Sequence, residues 1–198
     1  MLPRYFYLND NVVDVARRLI GKLLVTEFGG VRTSGVIVET EAYCGRNDQA
    51  CHANNGSRTP RTEVMYCEGG VGYIYLCYGI HHLFNVVTNK KDYADAVLIR
   101  GLEPVDGIET MLKRRKLPSL KRNLTAGPGA LAQALGINYR DSGISLLGPQ
   151  VWIERTNKEI DSKRLIASPR VGIEYAGNDA GLPWRFRLRD SRWVSPAR

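Results

Sequence analysis

Groups that can transfer protons are concentrated between positions 39 and 52 of the sequence. Glu39, Glu41 and Tyr43 alternate along a run rich in β-branched residues, so their side chains fall on one side of a predicted strand. Apolar Ile37 shares that side, and His52 follows in the next segment. A carboxylate, a phenol and an imidazole around one pocket suit proton transfer to or from water. Spacing alone favours a plainer interpretation, in which both glutamates are surface acids at a strand edge.

The segment GYIYLCYGI carries three tyrosines. Its composition is typical of a core strand, and periodicity alone favours that interpretation. Tyr78 precedes Gly79, so we expect its ring at a strand end or hairpin tip. A large ring exposed there beside Ile80 suits a wedge between DNA base steps. Tyr43 and Tyr75 would then supply aromatic faces for a base taken out of the stack.

The chain is basic. Its 198 residues carry a formal net charge of +8, which favours an anionic partner such as nucleic acid, an acidic membrane surface or a phosphorylated substrate. Six lysines and arginines lie between Lys113 and Arg122, and they form either a solvated linker or a phosphate-contacting arm. Arg185, Arg187 and Arg189 alternate on a predicted strand, and such a row of like charges costs repulsion unless a bound anion, such as a DNA phosphate, or an acidic partner neutralises it.

Several classes of protein are disfavoured by what the sequence lacks. No stretch approaches the ~20 apolar residues of a membrane span, and the start does not resemble a secretory signal. We therefore expect an intracellular protein, cytoplasmic or nucleoid-associated, with reduced cysteines and no membrane partner. The cysteine spacing contains no C-x-x-C pair, and phosphate-loop and dinucleotide motifs are absent. The sequence therefore predicts no metal site and no cofactor.

The order of elements predicts a single compact α+β domain over residues 1–198, with a mainly antiparallel, curved sheet and surrounding helices. Strands are predicted at 22–26, 34–43, 71–78, 83–88, 96–100, 151–154, 171–173 and 184–189. Helices are predicted at 12–20, from 108 into the basic stretch, and at 128–135. Residues 44–60 are predicted to form a long loop, near whose end Thr59 and Pro60 begin a short helix.

Seven ordered segments carry a family resemblance: VIVETEAYCGRNDQACH, RTPRTEVMY, YIYLCYGIHHLFNVVT, VLIRGLEP, AGPGALAQALGI, RVGIEYAG and LPWRFRL. Together they cover much of the chain and resemble the alkyladenine DNA glycosylase family, also called the methylpurine or 3-methyladenine DNA glycosylase family. The resemblance implies a mixed α/β domain without metal or cofactor. It also implies a monofunctional enzyme that flips alkylated or deaminated purines out of duplex DNA and hydrolyses the N-glycosidic bond.

The resemblance assigns roles to particular residues. Glu41 matches the general base that activates water, and Arg100 lies near that water and the lesion's phosphate. Tyr78 matches the tyrosine that fills the gap in the duplex, and Ile80 stands beside it where methionine is frequent. Four further positions match residues of the base pocket: Tyr43, His52, Tyr75 and Asn85. Of these, Asn85 disfavours the exocyclic amino group of normal guanine.

The implied chemistry is direct hydrolysis through an oxocarbenium-like transition state, because no lysine lies in the matched catalytic motifs. We expect double-stranded DNA containing damaged purines as partner and a monomeric protein. Departures at Cys51, Asn54, Asn55 and Ala130 bear on lesion preference. Two other classes remain open: a non-catalytic nucleic-acid-binding protein and a purely structural domain. The matched Glu41 weighs against the first, since binding to phosphates needs no carboxylate.

Overall fold

The computed structural model describes residues 1–156 and 160–196. The strands of this part are β1 Leu23–Phe28, β2 Val31–Tyr43, β3 Gly72–Cys77, β4 His81–Thr88, β5 Asp95–Pro104, β6 Val151–Glu154, β7 Leu165–Ser168 and β8 Arg185–Leu188. They form one sheet in the order β3-β4-β5-β2-β1-β6, and β8 pairs with both β2 and β7. Every ladder is antiparallel.

The α-helices of the described residues are α1 Arg4–Tyr7, α2 Val12–Leu19, α3 Ile108–Arg115 and α4 Pro128–Leu135. Mixed helices and an antiparallel sheet confirm the predicted α+β class. None of the helices in residues 1–156 and 160–196 has the length and apolar character that a bilayer crossing requires.

The strand that carries the candidate site, β2, lies in the middle of the sheet. It is 13 residues long and pairs with β5 along most of its length. Strand β1 pairs with its first half, and β8 pairs with it at Glu39–Glu41. The register against β5 shifts around Glu39, and such irregularities re-aim side chains. The glutamates therefore lie in an interior strand rather than at an edge.

Helix α2 packs behind this strand. The side chain of Asn11 caps the helix by accepting a hydrogen bond from the Asp14 amide at 3.0 Å. Its buried face is apolar, and the Thr40 hydroxyl donates to the Ala16 carbonyl at 2.9 Å. Because side chains alternate along a strand, Thr40 faces the helix while Glu39 and Glu41 face the opposite side.

The β3-β4 hairpin ends in a tight turn at Tyr78 and Gly79. Both residues have positive φ, 50° and 74°, as in the type I′ turns that match the twist of paired strands. The turn leaves the Tyr78 side chain 92% exposed and Ile80 70% exposed. The predicted position of Tyr78 at an exposed hairpin tip is confirmed.

Two local predictions are wrong. Residues 171–173 form no strand, because the Val171 amide donates to a carboxylate of β2 instead of a neighbouring strand. The predicted helix at Thr59 and Pro60 is a turn, and a short 3₁₀ helix begins only at Glu63. Hydrogen bonds between Thr59 and Thr62, including one from the Thr59 amide to the Thr62 hydroxyl at 2.8 Å, stabilise that turn.

Candidate active site

Glu39 is completely buried, so its interpretation as a surface acid is wrong. Its Oε1 accepts hydrogen bonds from Arg185 Nε at 2.7 Å, from Ser195 Oγ at 2.8 Å and from Arg100 Nε at 3.1 Å. Its Oε2 accepts one from the Ser195 amide. Two cations and a serine therefore replace the water that this carboxylate loses on burial.

Glu41 is also completely buried and lies beside the candidate pocket. Its Oε2 accepts from the Tyr43 hydroxyl at 2.8 Å and from Arg100 Nη1 at 3.3 Å. Its Oε1 accepts from the Val171 amide at 2.8 Å. These donors hold the carboxylate in one orientation, which a positioned base requires.

Arg100 joins the two glutamates. It is only 7% exposed and contacts Glu39 through Nε and Glu41 through Nη1. Burial by itself lowers the pKa of its guanidinium, but the charges of Glu41 and Glu39 outweigh burial and raise the pKa above its ordinary value. Arg100 therefore stays charged and restrains both carboxylates.

The C-terminal segment reaches this cluster because Gly101 leaves room for it. A Cβ atom at Gly101 would lie 2.6 Å from the Trp193 carbonyl oxygen. Ser195 follows and bonds to Glu39, Arg100 and Arg185.

The predicted arginine face of β8 needs correction. Arg185 is 4% exposed and neutralised by Glu39, so it is no phosphate contact. Arg187 is half-buried, and only Arg189 is exposed. Glu39 therefore balances the charge of Arg185 inside the protein.

A cavity of about 430 Å³ opens beside Glu41, within the range of about 300–1,000 Å³ typical of small-molecule sites. Six of the predicted site residues line it: Tyr43, His52, Tyr75, Tyr78, Asn85 and Arg100. Glu41 lies directly behind Tyr43 and Arg100, and Ile80 stands outside the cavity at the hairpin tip. Cys51, which bears on lesion preference, also lines the cavity, as do Arg61 and Tyr175, for which the sequence predicted no role.

Aromatic rings form much of the cavity wall. Tyr73 and Tyr75 stack with centroids 5.5 Å apart, and the His52 ring meets Tyr75 edge-on at 4.7 Å. The Asn85 amide donates to the Tyr73 carbonyl at 3.1 Å, which fixes its side chain. Burial, followed by the positive charge of Arg61, lowers the pKa of His52 from 6.5 to about 4. The wall is therefore aromatic and its imidazole neutral at physiological pH.

Sequence reasoning missed a second buried ion pair beneath the cavity. Arg170 donates to both oxygens of Asp48, at 2.5 and 2.8 Å, and its guanidinium lies 4.8 Å from the centre of the Tyr43 ring. It thus supports Tyr43 from behind and precedes Val171. Arg170 and Val171 both lie in the RVGIEYAG segment, whose family resemblance is the signal in the sequence that could have found them.

A larger cavity of about 670 Å³ lies elsewhere, near α2 and β6. Cations at its wall include Arg17, Lys22 and Arg155, but it contains none of the predicted site residues. We take the smaller cavity as the site because its walls are aromatic and two of its lining residues, Tyr43 and Arg100, contact the buried Glu41 carboxylate. Within residues 1–156 and 160–196, no cluster of three histidine, cysteine or acidic side chains is arranged to hold a metal ion.

Comparison with known proteins identifies the class that this fold and site define. Residues 6–192 match the family model of methylpurine-DNA glycosylase. The "Putative 3-methyladenine DNA glycosylase" of Chlamydia abortus is 47% identical over 189 residues, covering 95% of this chain and 98% of that protein. Proteins of the same name from Clostridium perfringens (strain SM101) and Bacillus cereus (strain G9842) are 41% and 44% identical, each over 98% of both chains.

The chain therefore belongs to the methylpurine-DNA glycosylase family. It is accordingly a hydrolase of the class that acts on N-glycosyl bonds in DNA, and the expected resemblance is confirmed.

The lowered pKa of His52 predicts a pH-dependent stability. Between pH 6.5 and 4 the unfolded chain binds a proton at His52 that the folded chain does not bind. The contribution of neutral His52 to the free energy of unfolding is therefore present above pH 6.5 and is lost as the pH falls towards 4. We expect the free energy of unfolding to fall by about 2–3 kcal/mol more in the wild type than in His52→Gln over that range. Urea unfolding at several pH values measures the difference, and parallel curves for the two proteins would contradict the assignment.

Proposed function

We propose that this glycosylase flips alkylated or deaminated purines out of duplex DNA into the 430 Å³ cavity and hydrolyses their N-glycosidic bond, leaving an abasic site. The observation that carries the proposal is the position of Glu41. Its carboxylate is buried and held by three donors, and the three residues that donate to it, Tyr43, Arg100 and Val171, all line the aromatic cavity. Tyr43, His52 and Tyr75 would enclose the base, and Asn85 would disfavour normal guanine.

The proposed chemistry needs one water molecule and one general base, Glu41. As the bond between C1′ and the purine nitrogen breaks, its electron pair leaves with the base and positive charge develops on the sugar. Glu41 accepts a proton from water, whose oxygen forms the new bond to C1′. The anionic carboxylate also stabilises the developing charge. Arg100 holds Glu41 in place, and no covalent enzyme intermediate is required.

Tyr78 supports the flipping step. A ring held 92% exposed at a tight turn can enter the duplex and occupy the space that the flipped nucleotide leaves. Ile80, also exposed beside the tip, adds apolar surface for the same contact. We propose that residues 1–198 act as one domain and as a monomer on double-stranded DNA inside the cell.

A non-catalytic DNA-binding protein is the competing function. It would use the basic surface and the Tyr78 tip equally well, but it would gain nothing from burying Glu41 and Arg100 beside a base-sized cavity. Because burying these charges costs free energy, their burial favours an enzyme over a protein that only binds DNA.

Glu41→Gln tests the base directly. The amide keeps the shape of the side chain but cannot accept a proton from water, so we expect single-turnover release of 1,N6-ethenoadenine or hypoxanthine to fall by at least about 10²-fold. Binding to the same lesion duplex should persist. The matched control is Glu27→Gln, an exposed acid on β1, which should retain the wild-type rate. An unchanged rate in Glu41→Gln would show that another group activates water.

Tyr78→Ala tests the wedge. Without the ring nothing fills the gap, so affinity for a lesion duplex should weaken by about 1–3 kcal/mol, the order of unstacking one base. Tyr5→Ala removes another exposed ring, 67% exposed on α1, and should leave affinity unchanged. Fluorescence anisotropy measures both variants, and equal affinities for Tyr78→Ala and wild type would refute the wedge.

A further inference from the structure

Arg61 is a cation in the wall of the cavity that the chemistry above leaves unused. It follows Pro60 in the turn before the 3₁₀ helix, is exposed, and lines the cavity with His52 and Tyr75. Its guanidinium lies 4.9 Å from the centre of the Tyr75 ring. A positive charge is therefore fixed next to the proposed position of the flipped base.

Arg61 also contacts His52 and fixes which ring nitrogen carries the proton. Its Nη2 lies 3.2 Å from His52 Nε2, and a guanidinium can only donate, so Nε2 must accept. The imidazole proton then sits on Nδ1, which lies 3.1 Å from the Tyr73 hydroxyl. A second proton on Nε2 would break the contact with Arg61 and place two cations together. The charge of Arg61 therefore adds to burial, the larger cause, in lowering the pKa of His52.

The rings that would stack on the base already contact cations. Arg61 lies over Tyr75 and Arg170 lies over Tyr43, at 4.9 and 4.8 Å from the ring centres. The negative face of an aromatic ring attracts a cation, but a second cation near the same ring is repelled by the first. These tyrosine rings therefore attract a positively charged base less strongly than rings without a neighbouring cation would.

The charges around the cavity do not cancel at Arg61. Arg100 is paired with Glu39 and Glu41, and Arg170 is paired with Asp48. Among residues 1–156 and 160–196, Arg61 forms no ion pair with a carboxylate, and its contacts are His52 and the tyrosine rings. Arg61 is thus a cation of the cavity wall with no acidic partner in that part of the chain.

We propose that Arg61 is a specificity residue that disfavours positively charged bases, so that the cavity binds neutral damaged purines, such as deaminated or etheno-bridged ones, in preference to cationic alkylpurines. The inference rests on the proposed function and names its preferred substrate class. The N-glycosidic bond of a cationic alkylpurine is already labile, so its hydrolysis depends less on tight binding of the base.

The test compares one neutral and one cationic lesion in the same duplex sequence. The probes are ethenoadenine and 7-methylguanine, each on a 2′-fluoro sugar that prevents loss of the base, and the readout is the ratio of their dissociation constants. Arg61→Gln removes the charge but retains a donor for His52. We expect it to shift the ratio towards 7-methylguanine by roughly three- to tenfold, the size expected of one partly solvated charge. Arg61→Lys should keep the wild-type ratio.

The control is Arg140→Gln, which removes an exposed arginine that does not line the cavity and should change both affinities alike. An unchanged ratio in Arg61→Gln overturns the proposal. So does an equal shift in Arg61→Lys, because packing rather than charge would then be responsible. If the wild type releases no base from unfluorinated lesion duplexes, the proposed function itself fails. If the wild type releases base but Arg61→Gln leaves the ratio of dissociation constants unchanged, only the role of Arg61 is refuted.

Discussion

The burial of two carboxylates on one strand is the constraint on which the rest of this structure depends. Glu39 and Glu41 lie two residues apart on β2, and neither is exposed. Isolated charges in such surroundings would cost several kcal/mol each, so the fold must bring donors to them. Arg100 from β5, Arg185 from β8, the Val171 amide and Ser195 meet this need. Three features bring these groups together: the central place of β2, its irregular register against β5, and the close approach of the Trp193 segment to Gly101.

This arrangement places the two glutamates in different surroundings. Glu39 is enclosed by Arg100, Arg185 and Ser195 and acts as an internal counter-ion. Glu41 shares Arg100 but lies against Tyr43 at the cavity wall. In the proposed reaction, donors already in place around Glu41 would leave little reorganisation for the step in which positive charge develops on the sugar. The same logic extends to Tyr43, whose ring is supported by the buried pair of Arg170 and Asp48.

The sequence predicted features that depend on neighbours along the chain. The Tyr78 tip, helix α2 and most strands follow from local turn, periodicity and alternation patterns. Features set by distant partners were missed or wrong. Arg185 was placed on a phosphate-contacting face because its partner Glu39 lies 146 positions away, and residues 171–173 were taken for a strand because the bond from Val171 to Glu41 spans 130 positions. Spacing could not choose between Glu39 and Glu41 either. That choice came from the family resemblance and stays a prediction, which the contacts of Glu41 with the cavity residues Tyr43 and Arg100 support.

The central claim is that the flipped purine occupies the aromatic cavity with its sugar facing Glu41. A crystal structure of the protein with a duplex carrying 2′-fluoro-ethenoadenosine tests this most directly. We expect the base between Tyr43 and Tyr75, a water bridging Glu41 to C1′, and the Tyr78 ring in the gap of the duplex. A base still stacked in the helix with Tyr78 outside it, or DNA bound instead across the cavity near Arg17 and Arg155, would contradict the account.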